Sequence, residues 1–195
     1  MRLMVMAALA AALFAGSLAT AIPAYAQATT ANPIAPPSEK IPTDVRRVTI
    51  IVTDMERSLK LYRDALGLKV NYDAPMDVSG AAFTQGGKPR PIRLVLLNGN
   101  DPWIGWIGLI QYTDEPNRPK LKLPKHLGPG SLVIVTNVDD AQRRCDAAAQ
   151  IPGVRIASPV KVHTYPGRNG GPEIKVLGCQ LFDPDGAFVE LNSRM

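Results

Sequence analysis

The chain has few side chains that could ligate a metal ion or act as a nucleophile. Its 195 residues include two histidines, His126 and His163, and two cysteines, Cys145 and Cys179. Two cysteines cannot build a four-cysteine zinc site, and two histidines are too few for a His-rich metal site. No Ser/His/Asp or Cys/His spacing supports a nucleophilic triad. The sequence by itself therefore offers no ready-made zinc or nucleophile site.

The N-terminal segment has the features of a secretory signal. Residues 1–26 carry one charge, at Arg2, and an apolar run follows that ends in Pro23-Ala24-Tyr25-Ala26. Small residues at positions 24 and 26 suit signal peptidase cleavage, so we predict a signal peptide over 1–26 and a periplasmic or secreted protein. The alternative is an uncleaved membrane anchor. After cleavage we expect no stable membrane association. Residues 27–43 are rich in Ala, Pro and Thr and are predicted to form a flexible tether.

Export affects what is expected of the two cysteines. Cys145 falls on a predicted helix and Cys179 on a predicted strand. An oxidising compartment would allow a disulfide between them, but sequence alone does not give the distance between their Cα atoms. Of the two alternatives, we expect two separate buried thiols.

Composition argues for an ordinary globular domain without a nucleic-acid partner. Hydrophobic residues make up 46% of the chain, and its 18 prolines argue against an all-helical bundle. The formal net charge is +5, and cleavage after Ala26 would lower it by one. The basic clusters are small: Arg46-Arg47, and Lys120, Lys122 and Lys125. We interpret them as a solvated surface and not as a nucleic-acid site.

Two similar series of elements must position any site. The first half is predicted to contain a strand, a helix capped by Asp54 and ended by Gly67, and three further strands: Val45–Thr53, Leu68–Tyr72, Ile92–Leu97 and Ile104–Tyr112. Residues 73–89 are predicted to form a loop, with an optional strand near 81–84. After a Pro-rich connection, a helix capped by Asn137 is expected among four strands: Leu132–Thr136, Val154–Val162, Ile174–Phe182 and Ala187–Asn192. Residues 183–186, Asp-Pro-Asp-Gly, predict a turn between the last two strands.

The two halves look like a duplication. Ile51-Val52-Thr53-Asp54-Met55-Glu56 aligns with Ile134-Val135-Thr136-Asn137-Val138-Asp139, 83 residues later. In both segments a strand is expected to end in a capped helix. The chain is therefore predicted to be α+β, with two βαβββ units whose curved mixed sheets enclose a cleft and whose helices lie outside. The expected boundaries are 44–113 for unit 1, 114–129 for the linker and 130–195 for unit 2.

The sequence resembles the vicinal oxygen chelate superfamily, which includes glyoxalase I, extradiol dioxygenases, and fosfomycin- and bleomycin-resistance proteins. Three stretches carry the resemblance: residues 48–62 with Leu66-Gly67-Leu68, residues 135–140, and residues 182–191. The resemblance implies the paired fold over about 45–192. It does not fix an activity, because one fold hosts many functions.

The resemblance also implies where a divalent metal would bind, on the first and last strands of each unit. The matching positions hold Arg47, Gly108, Gly130 and Glu190. Arginine stays protonated and does not ligate cations, and glycine has no side chain. The family metal site is therefore predicted to be largely lost, and no cofactor is expected. The alternative is a relocated Mn, Fe, Ni or Zn site that uses Gln111, His126 or His163.

In the family geometry, Arg47 and Glu190 would face each other across the cleft. Arg47 could bind a carboxylate or phosphate of a ligand, with Glu190 orienting it or acting as a base; otherwise the two would form a structural salt bridge. Four further residues are candidates for the cleft or its rim: Thr49, Trp103, Trp106 and Asn192. The loop at residues 166–172 is a candidate lid, although a plain exposed loop is the default.

These features predict an exported protein that binds a small, anionic organic molecule in the cleft. The alternative is a glyoxalase-like lyase or dioxygenase-type enzyme that uses a relocated metal or Glu190 as acid or base. A third alternative is a structural or interaction role with an unused cleft. In the family, units pair within one chain or across a dimer, so the resemblance also allows a homodimer.

Overall fold

The computed structural model of the protein describes residues 43–80, 82–83, 87–115, 123–167 and 171–195. The predicted signal peptide, and the tether up to residue 42, lie outside the described residues. In chain order the elements are β1 (Arg47–Ile51), α1 (Met55–Leu59) continued by a π-helix (Lys60–Ala65), β2 (Lys69–Val78), β3 (Arg90–Asn98), β4 (Trp106–Tyr112), β5 (Val133–Asn137), α2 (Ala141–Ala149), β6 (Arg155–Tyr165), β7 (Ile174–Phe182) and β8 (Phe188–Arg194). No helix in these ranges is both long and apolar enough to cross a membrane.

The strands form two sheets of four with the same topology. Their orders are β1-β4-β3-β2 and β5-β8-β7-β6. In each sheet the first strand runs parallel to the last, and the other pairs are antiparallel. This confirms the predicted α+β fold of two βαβββ units.

The helix of each unit starts at an aspartate. The Asp54 carboxylate accepts a hydrogen bond from the Arg57 amide at 3.0 Å, as predicted for α1. In unit 2 the equivalent cap is Asp140, which accepts from the Arg143 amide at 3.0 Å. The prediction of Asn137 as this cap was wrong, because β5 continues through Asn137 and the helix begins at Ala141.

Strand β2 is longer than the sequence pattern predicted. It pairs with β3 from Lys69 to Val78, whereas residues 73–78 were expected to lie in a loop. A register shift between Val70 and Tyr72 changes which side chains share a face. Pro75 also made this strand hard to predict from the sequence, because proline within a sheet is mostly confined to edge strands. Of the optional strand near residues 81–84, Ala82 and Phe83 form a turn and the rest lies outside the described residues.

The two units share one hydrophobic core. Its buried side chains come from both helices, among them Leu59 and Tyr62 of the first and Ala148 of the second. The inward faces of both sheets join the same cluster, for example Leu109 of β4 and Leu191 of β8. The units of one chain therefore pack into a single body, and each helix is buried partly by the other unit.

A disulfide joins Cys145 of α2 to Cys179 of β7, with the Cα atoms 6.2 Å apart. Both residues lie in the core, so the expectation of two separate thiols was wrong. The sequence could not reveal this bond, because it depends on how α2 lies across the sheet of unit 2. Closing a loop of 34 residues stabilises the folded state by about 3–4 kcal/mol relative to the reduced chain.

The predicted turn at residues 183–186 also fastens unit 2 to unit 1. Asp183 is fully buried, and its carboxylate accepts a hydrogen bond from the Tyr62 hydroxyl at 2.8 Å. Its second oxygen accepts from the amides of Asp185 and Ala187 within the turn, at 2.9 and 2.7 Å. Asp185 in turn accepts from the Thr53 amide at 3.1 Å. The Asp183 carboxylate thus holds the turn backbone, and the carboxylates of both Asp183 and Asp185 bind the other unit.

The buried Tyr62 hydroxyl predicts a specific loss of stability at alkaline pH. Burial, followed by the nearby Asp183 carboxylate, raises the pKa of Tyr62 well above its ordinary value. Above pH ~10 the unfolded chain therefore loses a proton that the folded chain keeps, and stability falls by about 1.4 kcal/mol per pH unit from this group. We expect Tyr62→Phe to remove this slope and to cost about 1–3 kcal/mol at pH 7 by breaking the buried hydrogen bond.

The measurement is urea denaturation between pH 7 and 11. Tyr165→Phe, which removes a hydroxyl from an exposed ring, controls for the loss of a phenol and should leave stability at pH 7 near that of the wild type. An unchanged alkaline slope in Tyr62→Phe would contradict the prediction.

Candidate functional site

Strand alternation decides which side chains of unit 1 lie on the face of the sheet away from the helix. In β1, Val48 and Ile50 pack against the core, so Arg47 and Thr49 lie on the opposite, helix-free face. The register of the parallel pair places Trp106 of β4 beside Arg47 and Gly108 beside Thr49.

Unit 2 presents an equivalent arrangement. In β5, Ile134 is buried in the core, whereas Val133 and Val135 lie on the helix-free face. The register places Glu190 of β8 beside Val135 and Asn192 beside Asn137. The pair Val135–Glu190 therefore corresponds to the pair Thr49–Gly108 in unit 1.

This correspondence corrects one predicted position. The capping residues Asp54 and Asp140 are 86 residues apart, not 83, so the equivalent of Arg47 is Val133. Gly130 lies three residues before β5, in a turn with φ +85°. The four equivalent positions are thus Arg47, Gly108, Val133 and Glu190.

These four residues do not fit a divalent metal ion. They supply a guanidinium, no side chain, an aliphatic side chain and one carboxylate, whereas hard or borderline divalent ions need several oxygen or nitrogen donors. Thr49 also takes the space of a side chain at position 108, because a Cβ on Gly108 would lie 2.7 Å from Thr49 Oγ1. A side chain of any kind at position 108 would have to displace Thr49.

Arg47 and Glu190 have different surroundings. The Glu190 carboxylate accepts a hydrogen bond from Gln180 Nε2 at 2.8 Å, across the β7–β8 pair. Arg47 is exposed and has no hydrogen-bonding or ion-pair partner for its side chain in the described part of the chain. Within these residues no salt bridge joins Arg47 to Glu190, so the proposed internal pair is not formed in the single chain. The guanidinium keeps its full hydrogen-bonding capacity.

Arg47 lines a cavity between the free edges of β1 and β5, which we call the seam cavity. Its volume is about 230 Å³. Its walls are mostly apolar, and no acidic residue is among the described residues that line it: Val45, Arg47, Val48, Leu68, Gly105, Trp106, Ile107, Val133, Ile134, Val135 and Thr136. A larger cavity of about 470 Å³, lined mostly by residues 124–132, includes Gly130 but none of the four equivalent positions.

The two tryptophans differ in role. Trp106 is 1% exposed, borders the seam cavity, and donates a hydrogen bond from Nε1 to the Asp101 carbonyl at 3.1 Å. Trp103 is stacked against Arg46, whose Cζ lies 3.7 Å from the ring centroid. The guanidinium of Arg46 therefore stacks on an aromatic ring, whereas that of its neighbour Arg47 does not.

The remaining candidate metal ligands, Gln111, His126 and His163, do not converge on one site. Gln111 holds the start of α1, because its Oε1 accepts from the Met55 amide at 3.0 Å and its Nε2 donates to the Thr53 carbonyl. His126 is exposed in the segment before β5. His163 is stacked on Tyr165, and its Nε2 is buried without a hydrogen-bond partner in the described part of the protein.

Asn192 lies beside His163, since the side chains of both cover Gly178. No group of three or more His, Cys, Asp or Glu side chains in the described residues could hold a metal. The centre of the candidate lid, residues 168–170, lies outside the described residues.

Comparison with known proteins identifies relatives of this arrangement. A sequence model of the Glyoxalase/Bleomycin resistance protein/Dioxygenase superfamily matches residues 45–191. A glyoxalase family protein from Bacillus cereus has a TM-score of 0.60 at 15% identity, over 83% of this chain and 99% of that one. Glyoxalase I from Zea mays gives 0.44 at 19% identity, over 76% of this chain and 45% of that one.

A fosfomycin resistance protein from Mesorhizobium loti gives a TM-score of 0.39 at 16% identity, over 79% and 90% of the two chains. Among curated proteins, none shows significant sequence similarity to this chain. At 15% identity the Bacillus cereus structure bears on the fold alone.

The corrected correspondence can be tested by adding donors. We expect Arg47→His combined with Val133→His to bind Ni²⁺ at least tenfold more tightly than the wild type, because two imidazoles would then join Glu190 on equivalent strand positions. The control is Arg47→His with Ser131→His, which places the second imidazole before β5. Calorimetric titration with NiCl₂ measures the difference. Equal affinities in the two double variants would refute the assignment of Val133.

Proposed function

The chain belongs to the Glyoxalase/Bleomycin resistance protein/Dioxygenase superfamily, and on that premise we propose that it binds a small organic anion in the seam cavity, with Arg47 as the anchor. The observation that carries this proposal is an arginine without a protein partner on the wall of an otherwise apolar cavity. An anionic group of a ligand would supply the missing counter-charge and would accept two hydrogen bonds from the planar guanidinium.

The cavity walls favour an organic anion over an inorganic one. Val48, Ile107 and Ile134 border the cavity together with Trp106, so a ligand that fills it buries apolar surface. A phosphate or sulfate ion would gain only the contact with Arg47 and would lose its hydration against aliphatic walls. The preferred ligand therefore combines one negative group with an apolar body.

The chemistry of the four equivalent positions supports binding without a metal at the family position. A guanidinium repels a cation and attracts an anion. Where the resemblance implies a metal ligand, Arg47 therefore favours direct binding of an anionic ligand. Glu190 is oriented by Gln180 and leaves one carboxylate oxygen for other partners. It is the residue on which an acid–base reaction of the bound molecule would depend.

The disulfide supports a location outside the cytosol. Cys145 and Cys179 are the two cysteines of the chain, and they are bonded. Structural disulfides persist in oxidising compartments such as the periplasm or the extracellular space. Together with the signal-like residues 1–26, this bond favours an exported binding protein.

Removal of the guanidinium should weaken anion binding. We expect hexanoate to bind the wild type more tightly than the neutral hexanamide, and Arg47→Ala to weaken hexanoate binding at least tenfold, because a charged hydrogen bond contributes about 1.5–3 kcal/mol. Arg47→Lys should keep part of the affinity. Intrinsic tryptophan fluorescence, to which Trp106 at the cavity contributes, provides the signal.

The matched control is Arg63→Ala, which removes an exposed arginine that pairs with Asp64 outside the cavity. If Arg47→Ala binds hexanoate as well as the wild type does, the proposal fails. Conversion of a bound acid that is lost in Glu190→Gln would favour the enzyme alternative over simple binding.

Export predicts a specific mature N-terminus. When the full-length gene is expressed in a bacterium that exports proteins, we expect the periplasmic or secreted fraction to contain a chain that starts at Gln27, with Cys145 and Cys179 oxidised. Mass spectrometry of the intact protein, with and without reduction, measures both. An uncleaved chain that stays in the cytosol with free thiols would overturn this assignment.

A further inference from the structure

The seam cavity is bordered by two strand edges that carry free backbone groups. β1 pairs with β4 alone, and β5 pairs with β8 alone, so each strand has one unpaired edge. Within the described residues no backbone hydrogen bond joins β1 to β5. Val45, Arg47 and Val48 line the cavity from one side, and residues 133–136 line it from the other. Amide and carbonyl groups of both edges therefore lack a strand partner at this cavity.

The outer edges of the two sheets are built differently. β2 contains Pro75 and a register shift, and β6 contains Pro159 and two register shifts. Prolines and bulges are devices that prevent an edge strand from pairing with another chain. Strands β1 and β5 have neither device; each runs for five residues in regular register. Prolines and register shifts therefore oppose strand addition at the outer edges, whereas neither is present in β1 or β5 at the seam.

We propose that the seam binds a short extended peptide with a free C-terminal carboxylate, which adds as a strand along the free edges of β1 and β5 and places its carboxylate on Arg47. This inference rests on the proposed function and names the class of anion. Strand addition supplies main-chain hydrogen bonds that an aliphatic acid cannot form.

The size of the cavity limits the length of the peptide. A volume of about 230 Å³ is smaller than the roughly 300–1,000 Å³ of pockets for drug-sized ligands. Each extended residue spans about 3.3–3.6 Å, so two or three residues cover about 7–11 Å of an edge. Val133 and Val135 remain 41% and 58% exposed at this edge, and small apolar side chains of the peptide would cover them.

The charges at the cavity favour binding through the C-terminus and not through the N-terminus. Arg47 is the cationic residue among the described lining residues, and none of these residues is acidic. A free ammonium group would therefore lie against apolar side chains without a partner. An N-acylated peptide avoids this cost and keeps the carboxylate for Arg47.

The test uses the full mature chain and N-acetyl-trialanine as the probe. Three related probes separate the contribution of the carboxylate to binding from that of the backbone amides. They are the C-terminal amide of the peptide, the same peptide with N-methylated backbone amides, and octanoate, which has a carboxylate but no amides. We expect the parent peptide to bind at least tenfold more tightly than each of them. Hydrogen exchange should slow in residues 47–51 and 133–137 with the peptide, but not with octanoate.

A matched pair of variants locates the binding edge. Val135→Lys places a charged side chain on β5 at the seam and should weaken binding of the parent peptide at least tenfold, because charge on an edge opposes strand addition. It should not weaken binding of octanoate, because the added cation attracts a carboxylate and octanoate forms no strand. Val162→Lys makes the same change on the outer strand β6, where the valine is 50% exposed, and should leave binding unchanged. Far-ultraviolet circular dichroism and the intact disulfide establish that both variants fold.

The outcomes separate this inference from the proposed function. If octanoate and the N-methylated peptide bind as tightly as the parent peptide, strand addition is refuted while anion binding at Arg47 stands. If Arg47→Ala leaves the binding of all these acids unchanged, the proposed function fails as well. If residues 47–51 and 133–137 gain protection with rising protein concentration alone, a second copy of the chain occupies the seam and the peptide proposal is overturned.

Discussion

The buried contact between Asp183 and Tyr62 is the constraint on which the rest of the structure depends. It fixes the turn of unit 2 against the helix of unit 1, while the same carboxylate holds the turn amides. Around it the two units share one core, in which neither helix is covered by its own sheet alone. Together with this core the contact holds the two units in one arrangement, in which residues of β1 and β5 line the same cavity. The seam cavity is a product of that packing and not of either unit by itself.

The positions at which the resemblance to the superfamily implies metal ligands hold residues of a different chemistry in this chain. Register places Arg47 and Val133, and then Gly108 and Glu190, at equivalent points of the two units. Three of these residues offer no donor to a cation, and one of them offers a positive charge to an anion. The same scaffold can therefore attract an opposite kind of partner without any change in strand order. Affinity would then come from one arginine, apolar walls and unpaired strand edges.

Local sequence signals predicted much of the fold, because they act over a few residues. Asp54 and Gly67 marked both ends of the first helix correctly, and the Asp-Pro-Asp-Gly turn joined the two strands expected of it. The second cap was misplaced because Asn137 and Asp140 are both good capping residues, and only the pairing of β5 with β8 distinguishes them. That error of three residues moved the expected ligand position from Val133 to Gly130.

Features that depend on contacts distant in sequence could not be predicted in this way. The bond between Cys145 and Cys179, the partner of Glu190 and the stacking of Arg46 on Trp103 each require the relative position of separate elements. Position 108 shows how such contacts limit what one substitution can do. Since Thr49 occupies the space above Gly108, a single substitution that introduces a side chain there meets a steric clash with Thr49. The residues at positions 49 and 108 are therefore coupled, and a donor at position 108 fits best when position 49 holds a smaller side chain.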